Sequence, residues 1–346
     1  MAESVERGAV ERGAVEREAM RRAIEVAASV DIPDGPNPRV GCVLLDSEGR
    51  TLAEGVHRGA GTAHAEVDAL GKAGEAARGA TAVVTLEPCD HMGRTGPCSQ
   101  ALIEAGVSRV VFAQADPHEF AAGGVQRLRL AGVDVEEGLL AEESARLNEA
   151  WTHAVTTGRP FVTWKVAATL DGRVAAADGS SRWISGEAAR AEVHRWRHRC
   201  DAIAVGTGTV SVDDPHLTAR DAEGRLRDVQ PLRVVVGMRD IPEGARVLDG
   251  AAPTIHVRTH DPAEVLGELA RRDARHLLLE GGPRLAAAFL EAGAIDQVVW
   301  YVAPLLLGAG SPALADLGVT VLGDAIRLRD VRVEQVGEDA RISGRI

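Results

Sequence analysis

The sequence predicts two α/β domains that meet near residue 150. Three observations lead to this prediction. The chain has 346 residues, about twice the length of a typical domain. Strand-like apolar runs alternate with helix-like segments along its length, which is typical of α/β sheets. All five tryptophans fall between Trp151 and Trp300, so the first part of the chain differs in composition from the rest.

The elements of the first domain are predicted over residues 18–147. Residues 1–17 contain a short repeat with two glycines and no apolar stripe, which indicates a mobile or weakly helical extension. Helical spacing of apolar residues begins at Glu18. Buried strands are predicted at 40–45, 81–86, 109–113 and 133–135, with helices at 64–77, 98–105 and 123–131.

The pattern resets over a predicted linker at 148–159, and a second domain is predicted over 160–346. Its strands are predicted at 160–167, 202–205, 232–236, 254–257, 276–279 and 297–302. Helices are predicted at 186–198, 261–272 and 283–292. The uncharged run 297–315 contains two prolines and two glycines, which predicts a buried strand and a loop rather than a membrane span.

The composition favours an enzyme that acts on small molecules. Apolar residues make up 45% and charged residues 26% of the chain, as in globular proteins with a sizeable core. The net charge of −12 argues against a general nucleic-acid binder, because such binding depends on clustered lysines and arginines. The charged N-terminus has no apolar signal region, which predicts a cytoplasmic location.

The first domain contains a pattern of metal ligands. His64-Ala-Glu66 is predicted where a loop enters a helix, and Pro88-Cys89 and Pro97-Cys98 follow. One histidine and two thiolates suit tetrahedral zinc with a fourth position open to water, whose pKa zinc lowers to about 7. Glu66 is placed to carry protons without binding the metal. This combination is typical of nucleobase deaminases.

The second domain contains weaker motifs. Gly281 and Gly282 precede Pro283, which predicts a helix start whose backbone N–H groups could hold a dinucleotide phosphate. Arg197 and Arg220 could hold a sugar phosphate through bidentate contacts. His194 and His198 have metal-ligand spacing, but arginines surround them, so they are interpreted as part of a solvated basic helix. No Gly-x-Gly-x-x-Gly follows a strand, so a Rossmann fold is not predicted.

Taken in order, the motifs resemble the bifunctional deaminase/reductase family of riboflavin biosynthesis. Eight residues separate Cys89 from Cys98, whereas most cytidine and tRNA-adenosine deaminases have two. The resemblance covers roughly residues 18–340. It is carried by the residues around the ligands and by the segments 37–41, 55–59, 165–173, 179–184, 206–209, 213–220 and 280–284. The resemblance implies a cytidine-deaminase-like three-layer domain followed by a dihydrofolate-reductase-like domain.

The resemblance also implies two successive reactions. The first half would hydrolytically deaminate 2,5-diamino-6-ribosylamino-4(3H)-pyrimidinone 5′-phosphate, with one zinc ion on His64, Cys89 and Cys98 and with Glu66 as proton donor and acceptor. The second half would use NADPH to reduce the ribosyl group of 5-amino-6-(5-phosphoribosylamino)uracil to ribityl, by hydride transfer to C1′. A homo-oligomer, dimer or tetramer, is expected, without nucleic-acid or membrane partners.

Carried over by motif, the family's binding residues fall at named positions. Asn37, His57 and the loop 91–95 would line the deaminase substrate, with Arg94 as a phosphate contact suggested by its charge. In the reductase, the residues expected to contact the cofactor are Ala167, Trp183, Thr209, Asp213 and the segment 282–288, which begins Gly282, Pro283 and Arg284. The residues expected to contact the substrate are Lys165, Ser181, Arg197, Leu217, Arg220 and Glu280. Lys165, predicted at the end of a strand, would either protonate the sugar or form a structural ion pair.

Four positions depart from the usual family pattern, and two other functions stay open. The departures are Asp90, Met92, His118, which follows Asp116-Pro117 where Asn-Pro is usual, and Arg284. The last leaves the choice between NADPH and NADH open. One alternative is a single-function nucleoside or tRNA deaminase, against which the cysteine spacing and the acidic charge argue. The other is a structural zinc module attached to a nucleotide sensor, against which Glu66 and the open ligand position argue.

Overall fold

A computed structural model describes residues 2–91, 96–118 and 123–346, with side chains described from residue 11 onwards. The chain divides into two compact units. The first unit consists of residues 1–32 and 36–156, and the second of residues 33–35 and 157–346. The boundary after Thr156 falls within the stretch that the sequence assigns to a linker. Among the described residues, no helix has both the length and the apolar character needed to span a membrane.

The first unit is built on a five-stranded sheet in the order β2-β1-β3-β4-β5. Its strands are β1 (Gly41–Leu45), β2 (Thr51–Val56), β3 (Thr81–Leu86), β4 (Arg109–Gln114) and β5 (Asp134–Glu137). β1 pairs antiparallel with both β2 and β3, and β3, β4 and β5 are parallel. Its helices are α1 (Ala2–Ala28), α2 (Ala65–Ala73), α3 (Cys98–Glu104), α4 (Gly124–Leu130), α5 (Ala141–Leu147) and α6 (Glu149–Thr157).

Helices cover both faces of this sheet, because side chains alternate along each strand. Val43 of β1 packs with Met20 of α1 on one face. Leu44 packs on the other face with residues of α2, α3, α4 and α6, including Leu102 and Trp151. The predicted three-layer arrangement is therefore confirmed.

Two segments of the first unit differ from the sequence prediction. α1 begins at Ala2, not at Glu18, and Glu16 is buried in an ion pair with Arg109, with Nε and Oε1 2.7 Å apart. Residues from Glu16 onwards therefore pack as part of the unit rather than as a mobile extension. Residues 149–157 form α6 rather than a linker, since Trp151 is buried in the core.

The second unit is built on an eight-stranded sheet in the order β10-β9-β8-β11-β6-β12-β15-β14. The strands of this unit are β6 (Phe161–Thr169), β7 (Arg173–Ala175), β8 (Ala202–Gly206), β9 (Leu232–Val236), β10 (Thr254–Val257), β11 (His276–Leu279), β12 (Gln297–Ala303), β13 (Ser311–Pro312), β14 (Arg329–Val336) and β15 (Asp339–Arg345). Of these, β7 and β13 form a separate two-stranded sheet. The first six strands in the sheet order, β10, β9, β8, β11, β6 and β12, are parallel to one another. β15 pairs antiparallel with β12 on one side and with β14 on the other. The run 297–315 forms β12 and a loop that contains β13, as predicted.

Four helices cover the two faces of the second sheet: α7 (Glu187–Arg199), α8 (Thr207–Asp213), α9 (Pro262–Ala270) and α10 (Pro283–Glu291). Leu269 of α9 and Phe289 of α10 pack against Trp164 of β6 on one face. Val210 of α8 packs on the other face, as does Val193 of α7. Because the central strands are parallel, their carboxyl ends meet at one edge of the sheet, the edge where ligands bind in open α/β sheets.

Candidate active sites

Three side chains in the first unit form a compact set of metal donors. His64 immediately precedes α2, Cys98 is the first residue of α3, and Cys89 lies in the loop after β3. The donor atoms of these residues all lie within 4.8 Å of one another. His64 Nδ1 lies 3.2 Å from Cys98 Sγ and 3.5 Å from Cys89 Sγ. The predicted ligands are therefore brought together, with Nδ1 as the donor nitrogen of the histidine.

The chemistry of this donor set fits zinc. Both cysteines are free thiols and are buried. The hydrogen bond with Cys98 lowers the pKa of Cys89 to about 4, and the same bond raises the pKa of Cys98. The two sulfurs thus share one proton, which a soft divalent cation would displace by allowing both thiols to ionise. No other group of three or more such side chains lies together in the described part of the chain.

Glu66 lies in the first turn of α2, two residues after His64. Its side chain is almost completely inaccessible, since the residue is only 3% exposed. Burial raises the pKa of Glu66 to about 7. A carboxyl group with this pKa can both accept and donate a proton near neutral pH, which is the property that the sequence analysis required of it.

Asn37 and His57 are held together beside the metal ligands. Asn37 Nδ2 donates to His57 Nε2 at 3.0 Å, and His57 Nδ1 donates to the carbonyl of Ala63 at 3.0 Å. The rings of His57 and His64 are 5.3 Å apart in an edge-to-face arrangement. Burial lowers the pKa of His57, so this ring is neutral near pH 7. Arg94 and Met92 lie outside the described residues.

Two departures from the family pattern have a structural account. Asp90 Oδ1 accepts hydrogen bonds from Ser99 Oγ at 2.5 Å and from Arg127 Nη1 at 2.9 Å, so its charge is compensated. Ser99 follows the ligand Cys98, and Asp90 follows the ligand Cys89. Asp116 Oδ1 accepts the backbone N–H of His118 at 2.8 Å, a turn contact that asparagine and aspartate make equally well.

The second unit contains a buried cluster of charges at the carboxyl end of β11. Glu280 accepts two hydrogen bonds from Arg197 of α7, at 2.7 Å from Nε and 3.0 Å from Nη2, and its Oε2 lies 3.8 Å from Lys165 Nζ. Lys165 lies in the middle of β6, not at its end as predicted. The register pairs Leu279 with Trp164, which brings Glu280 beside Lys165.

The charges in this cluster determine its protonation. Burial alone would raise the pKa of Glu280, but the positive charges of Arg197 and Lys165 outweigh burial and lower this pKa to about 2. Burial lowers the pKa of Lys165. Glu280 occupies the Nε and Nη2 edge of Arg197, so a phosphate contact of this arginine would have to use its Nη1 side. The predicted role of Arg197 as a phosphate ligand stays a prediction.

Other predicted substrate residues lie around this cluster. The carbonyl of Thr218, next to Leu217, accepts from Arg197 Nη1 at 3.3 Å and from His194 Nδ1 at 3.1 Å. After burial, the positive charges of Arg197 and Arg220 also lower the pKa of His194, so Arg220 is nearby. Ser181 is partly buried, and among the described residues no hydrogen bond of its side chain joins it to the cluster.

The interpretation of α7 as a solvated basic helix is wrong. His198 is buried, and His194 is bonded to the loop that carries Leu217. The spacing of three residues between His194 and Arg197 places both on one helix face, and this was the signal available in the sequence.

The predicted cofactor residues form two groups along the same edge. Gly282 caps α10 and Pro283 opens it, and a Cβ atom added to Gly282 would lie 3.6 Å from Thr209 Oγ1 of α8. Arg182 donates to the carbonyl of Asp213, the last residue of α8, which brings the neighbouring Trp183 to this helix. Arg190 lies 4.7 Å from the centre of the Trp183 ring, which is 68% exposed.

Of the remaining two cofactor residues, one lies on β6 and the other on α10. Ala167 lies on β6, two residues beyond Lys165, and is partly buried. Arg284 is exposed at the second position of α10. The glycine at the start of α10 leaves room for a ligand against its free backbone N–H groups, so this edge fits a dinucleotide phosphate.

Comparisons with known proteins cover both units. The RibD C-terminal domain family matches residues 160–342, more than half of the chain, and the cytidine and deoxycytidylate deaminase zinc-binding region matches residues 14–114. The riboflavin biosynthesis protein RibD of Mycobacterium tuberculosis is 54% identical over 323 residues, covering 93% of this chain and 94% of that protein. The RibD protein of Escherichia coli is 38% identical, covering 92% and 96%.

Solved structures show the same arrangement of elements. Acinetobacter baumannii RibD has a TM-score of 0.88 at 37% identity, with 96% of this chain and 99% of that chain covered. A diaminohydroxyphosphoribosylaminopyrimidine deaminase/5-amino-6-(5-phosphoribosylamino)uracil reductase from Thermotoga maritima has a TM-score of 0.86 at 34% identity, with the same coverage. At these identities the similarity extends to sequence as well as fold.

Proposed function

This chain belongs to the RibD family of riboflavin-biosynthesis deaminase/reductases, and from that premise we propose how its residues divide the two reactions. The chain is a bifunctional enzyme with a zinc-dependent deaminase domain and an NADPH-dependent reductase domain. We assign deamination of 2,5-diamino-6-ribosylamino-4(3H)-pyrimidinone 5′-phosphate to the first unit and reduction of the deaminated product to the second. The observation that supports the first assignment most directly is the cluster of His64, Cys89 and Cys98 next to the buried Glu66.

In the deaminase, Glu66 moves the protons. Zinc bound to the three ligands would supply the Lewis acidity that activates a water molecule for attack on the ring carbon. Glu66 would accept the first proton of that water and pass it to the adjacent ring nitrogen. It would then take the proton of the new hydroxyl group and deliver it to the amine, which leaves as ammonia as the carbonyl forms. The pKa of about 7 suits both directions of transfer. Asn37, oriented by His57, is placed to bind the pyrimidine by hydrogen bonds through the rest of its amide.

In the reductase, the charge cluster prepares the sugar. NADPH supplies the hydride that reduces C1′. Lys165 Nζ donates a proton to the ring oxygen as the ribosyl ring opens, and Glu280 holds Lys165 and Arg197 in place. Arg220 binds the substrate phosphate, since the bidentate edge of Arg197 is occupied. The start of α10 at Gly282 and Pro283, with Thr209 opposite, would hold the pyrophosphate of the cofactor.

The two assignments are tested together by following both products. Purified zinc-loaded protein is incubated with the diaminopyrimidinone phosphate, with and without NADPH. We expect ammonia release at the same rate in both samples, and NADPH oxidation only after ammonia has been released. Failure of the zinc-loaded protein to release ammonia would contradict the deaminase assignment, and NADPH oxidation that precedes ammonia release would contradict the order.

The assembly and location of the enzyme are proposals with their own support. β14 is the last strand at one edge of the second sheet, and its residues Val331 and Val333 are 52% and 68% exposed. The unpaired side of an edge strand can pair with another chain, and we propose a homo-oligomer, dimer or tetramer. We propose a cytoplasmic location, because all four cysteines are free thiols, as in a reducing compartment.

A further inference from the structure

The carboxyl edge of the second sheet presents its polar groups in a fixed order. Along the neighbouring strands β6, β11, β8 and β9 this order is Lys165, Glu280, the start of α8 after Gly206, and Arg239 after β9. Neighbouring strands lie about 4.8 Å apart, so β9 is roughly 14 Å from β6 across the sheet. The catalytic charges and Arg239 thus mark two ends of one edge.

Arg239 is an exposed arginine with a defined position. Its Nη2 lies 3.0 Å from where a Cβ atom on Gly208 would be, so the guanidinium rests against the first turn of α8, next to Thr209. Within the described part of the chain, no carboxylate forms an ion pair with Arg239, whereas the adjacent Asp240 is paired with Arg258. The glycine at 208 leaves this space open, and a larger residue there would displace the arginine.

We propose that Arg239 binds the 2′-phosphate of NADPH and thereby makes the reductase select NADPH over NADH. This inference rests on the proposed reductase function. The hydride-donating ring of the cofactor must lie by Lys165 and Glu280, and its pyrophosphate by Gly282 and Thr209. The remaining adenosine end then extends toward β9. NADPH differs from NADH only by the 2′-phosphate on this end, and a planar guanidinium with free N–H donors suits a phosphate group.

Arg284 is another exposed arginine of this edge, and its position gives it a different role. It lies at the second position of α10, beside the proposed pyrophosphate site. Both dinucleotides carry the pyrophosphate, so a contact there strengthens both and selects neither. The departure at Arg284 therefore leaves the preference for NADPH unaffected, and Arg239 determines it.

The test compares steady-state reduction of pre-deaminated substrate with NADPH and with NADH. For Arg239→Ala we expect the KM for NADPH to rise about tenfold to hundredfold, from the loss of a charge-assisted hydrogen bond, with kcat unchanged. The KM for NADH should stay within about twofold. Arg284→Ala should raise both KM values by a similar factor. Arg272→Ala, at the end of α9 near the opposite edge, serves as the matched control and should change neither.

A binding measurement gives an answer that does not depend on turnover. Calorimetry with 2′,5′-ADP and with 5′-AMP should show tighter binding of 2′,5′-ADP to the wild type and nearly equal binding of the two to Arg239→Ala. Equal binding of the two nucleotides to the wild type, or an equal loss for NADPH and NADH in Arg239→Ala, would overturn the assignment of Arg239. A wild-type enzyme that oxidises neither dinucleotide would instead contradict the reductase function, and the calorimetry would still decide the role of Arg239.

Discussion

Glu66 in the first unit and Glu280 in the second are both buried glutamates, but their pKa values are shifted in opposite directions. Burial raises the pKa of Glu66 to about 7. Burial would also raise the pKa of Glu280, but Arg197 and Lys165 lower it to about 2. The difference comes from the neighbours rather than from the depth of burial. Arg197 and Lys165 lie against Glu280, whereas the neighbours of Glu66, Cys89 and His64, shift its pKa in opposite directions.

This contrast explains what each carboxylate can do. Glu66 can gain and lose a proton near neutral pH, so it suits proton transfer in a hydrolytic deamination. Glu280 stays ionised across the working range of pH and acts as a fixed negative charge. It therefore positions Lys165 and Arg197, and in the proposed mechanism the proton that the reductase needs comes from Lys165.

The largest effect is expected from Glu66→Gln. Glutamine keeps the size of the side chain but cannot carry a proton, so ammonia release should fall by about 10²- to 10⁴-fold. NADPH oxidation with pre-deaminated substrate should stay within about twofold of the wild type, because the reductase residues are in the second unit. Both rates are measured on the same protein preparation, whose zinc content is determined by elemental analysis.

Glu75→Gln is the matched control for this variant. Glu75 is an exposed glutamate just after α2 and touches none of the site residues described above. Both activities should be unchanged in Glu75→Gln. If Glu66→Gln kept its zinc and its ammonia release, Glu66 would not be the proton carrier, and the contrast with Glu280 would lose its functional meaning.

The second prediction concerns acid stability and the variant Glu280→Gln. The folded pKa of Glu280, about 2, is below its ordinary value of 4.5, so the unfolded chain takes up this proton first as the pH falls. The stabilising contribution is therefore complete above pH 4.5 and is lost as the pH falls toward 2. It is on the order of 3 kcal/mol. The difference in free energy of unfolding between wild type and Glu280→Gln should be constant above pH 4.5 and shrink below it.

Denaturant titrations followed by tryptophan fluorescence measure this difference. Four of the five tryptophans lie in the second unit, since only Trp151 precedes its boundary. Glu268→Gln is the control, because Glu268 pairs with Arg271 and Arg272 at the surface, where ion pairs contribute little. A Glu280→Gln difference that is independent of pH from 7 to 3 would mean that the two cations do not hold this carboxylate ionised.

The two sites also differ in how far they can be predicted from sequence. The zinc ligands and Glu66 lie within 35 residues of one another, on loops and helix starts that the local pattern marks. Arg197 and Glu280 are 83 residues apart, and only the register of β6 and β11 brings Lys165 to them. In the sequence, Lys165, Arg197 and Glu280 belong to separate weak motifs. Only the family resemblance indicates that these three residues belong to one site.

Three elements differ from the sequence prediction for physical reasons that local sequence does not show. β14 is exposed along almost its whole length and contains charged residues, so it has no buried apolar run to mark it. β2 is largely exposed or half-buried in its first four residues. α1 extends to the N-terminal side of Glu18 because Glu16 is buried with Arg109, a contact between residues 93 positions apart that local periodicity cannot show.

The smallest effect is expected at Asp90, a carboxylate beside the zinc site that has a cation partner, as Glu280 does. Asp90, which follows Cys89, accepts hydrogen bonds from Arg127 and from Ser99, which follows Cys98. The bond from Ser99 therefore connects the two segments that carry the cysteine ligands. Asp90→Ala should raise the dissociation constant of zinc about threefold to tenfold, less than the loss of a group bonded directly to a ligand. Competition with a chromogenic chelator measures it. Gln100→Ala removes the other Arg127 contact and should leave zinc affinity unchanged. Unchanged affinity in Asp90→Ala would mean that the cysteines are positioned without this tie.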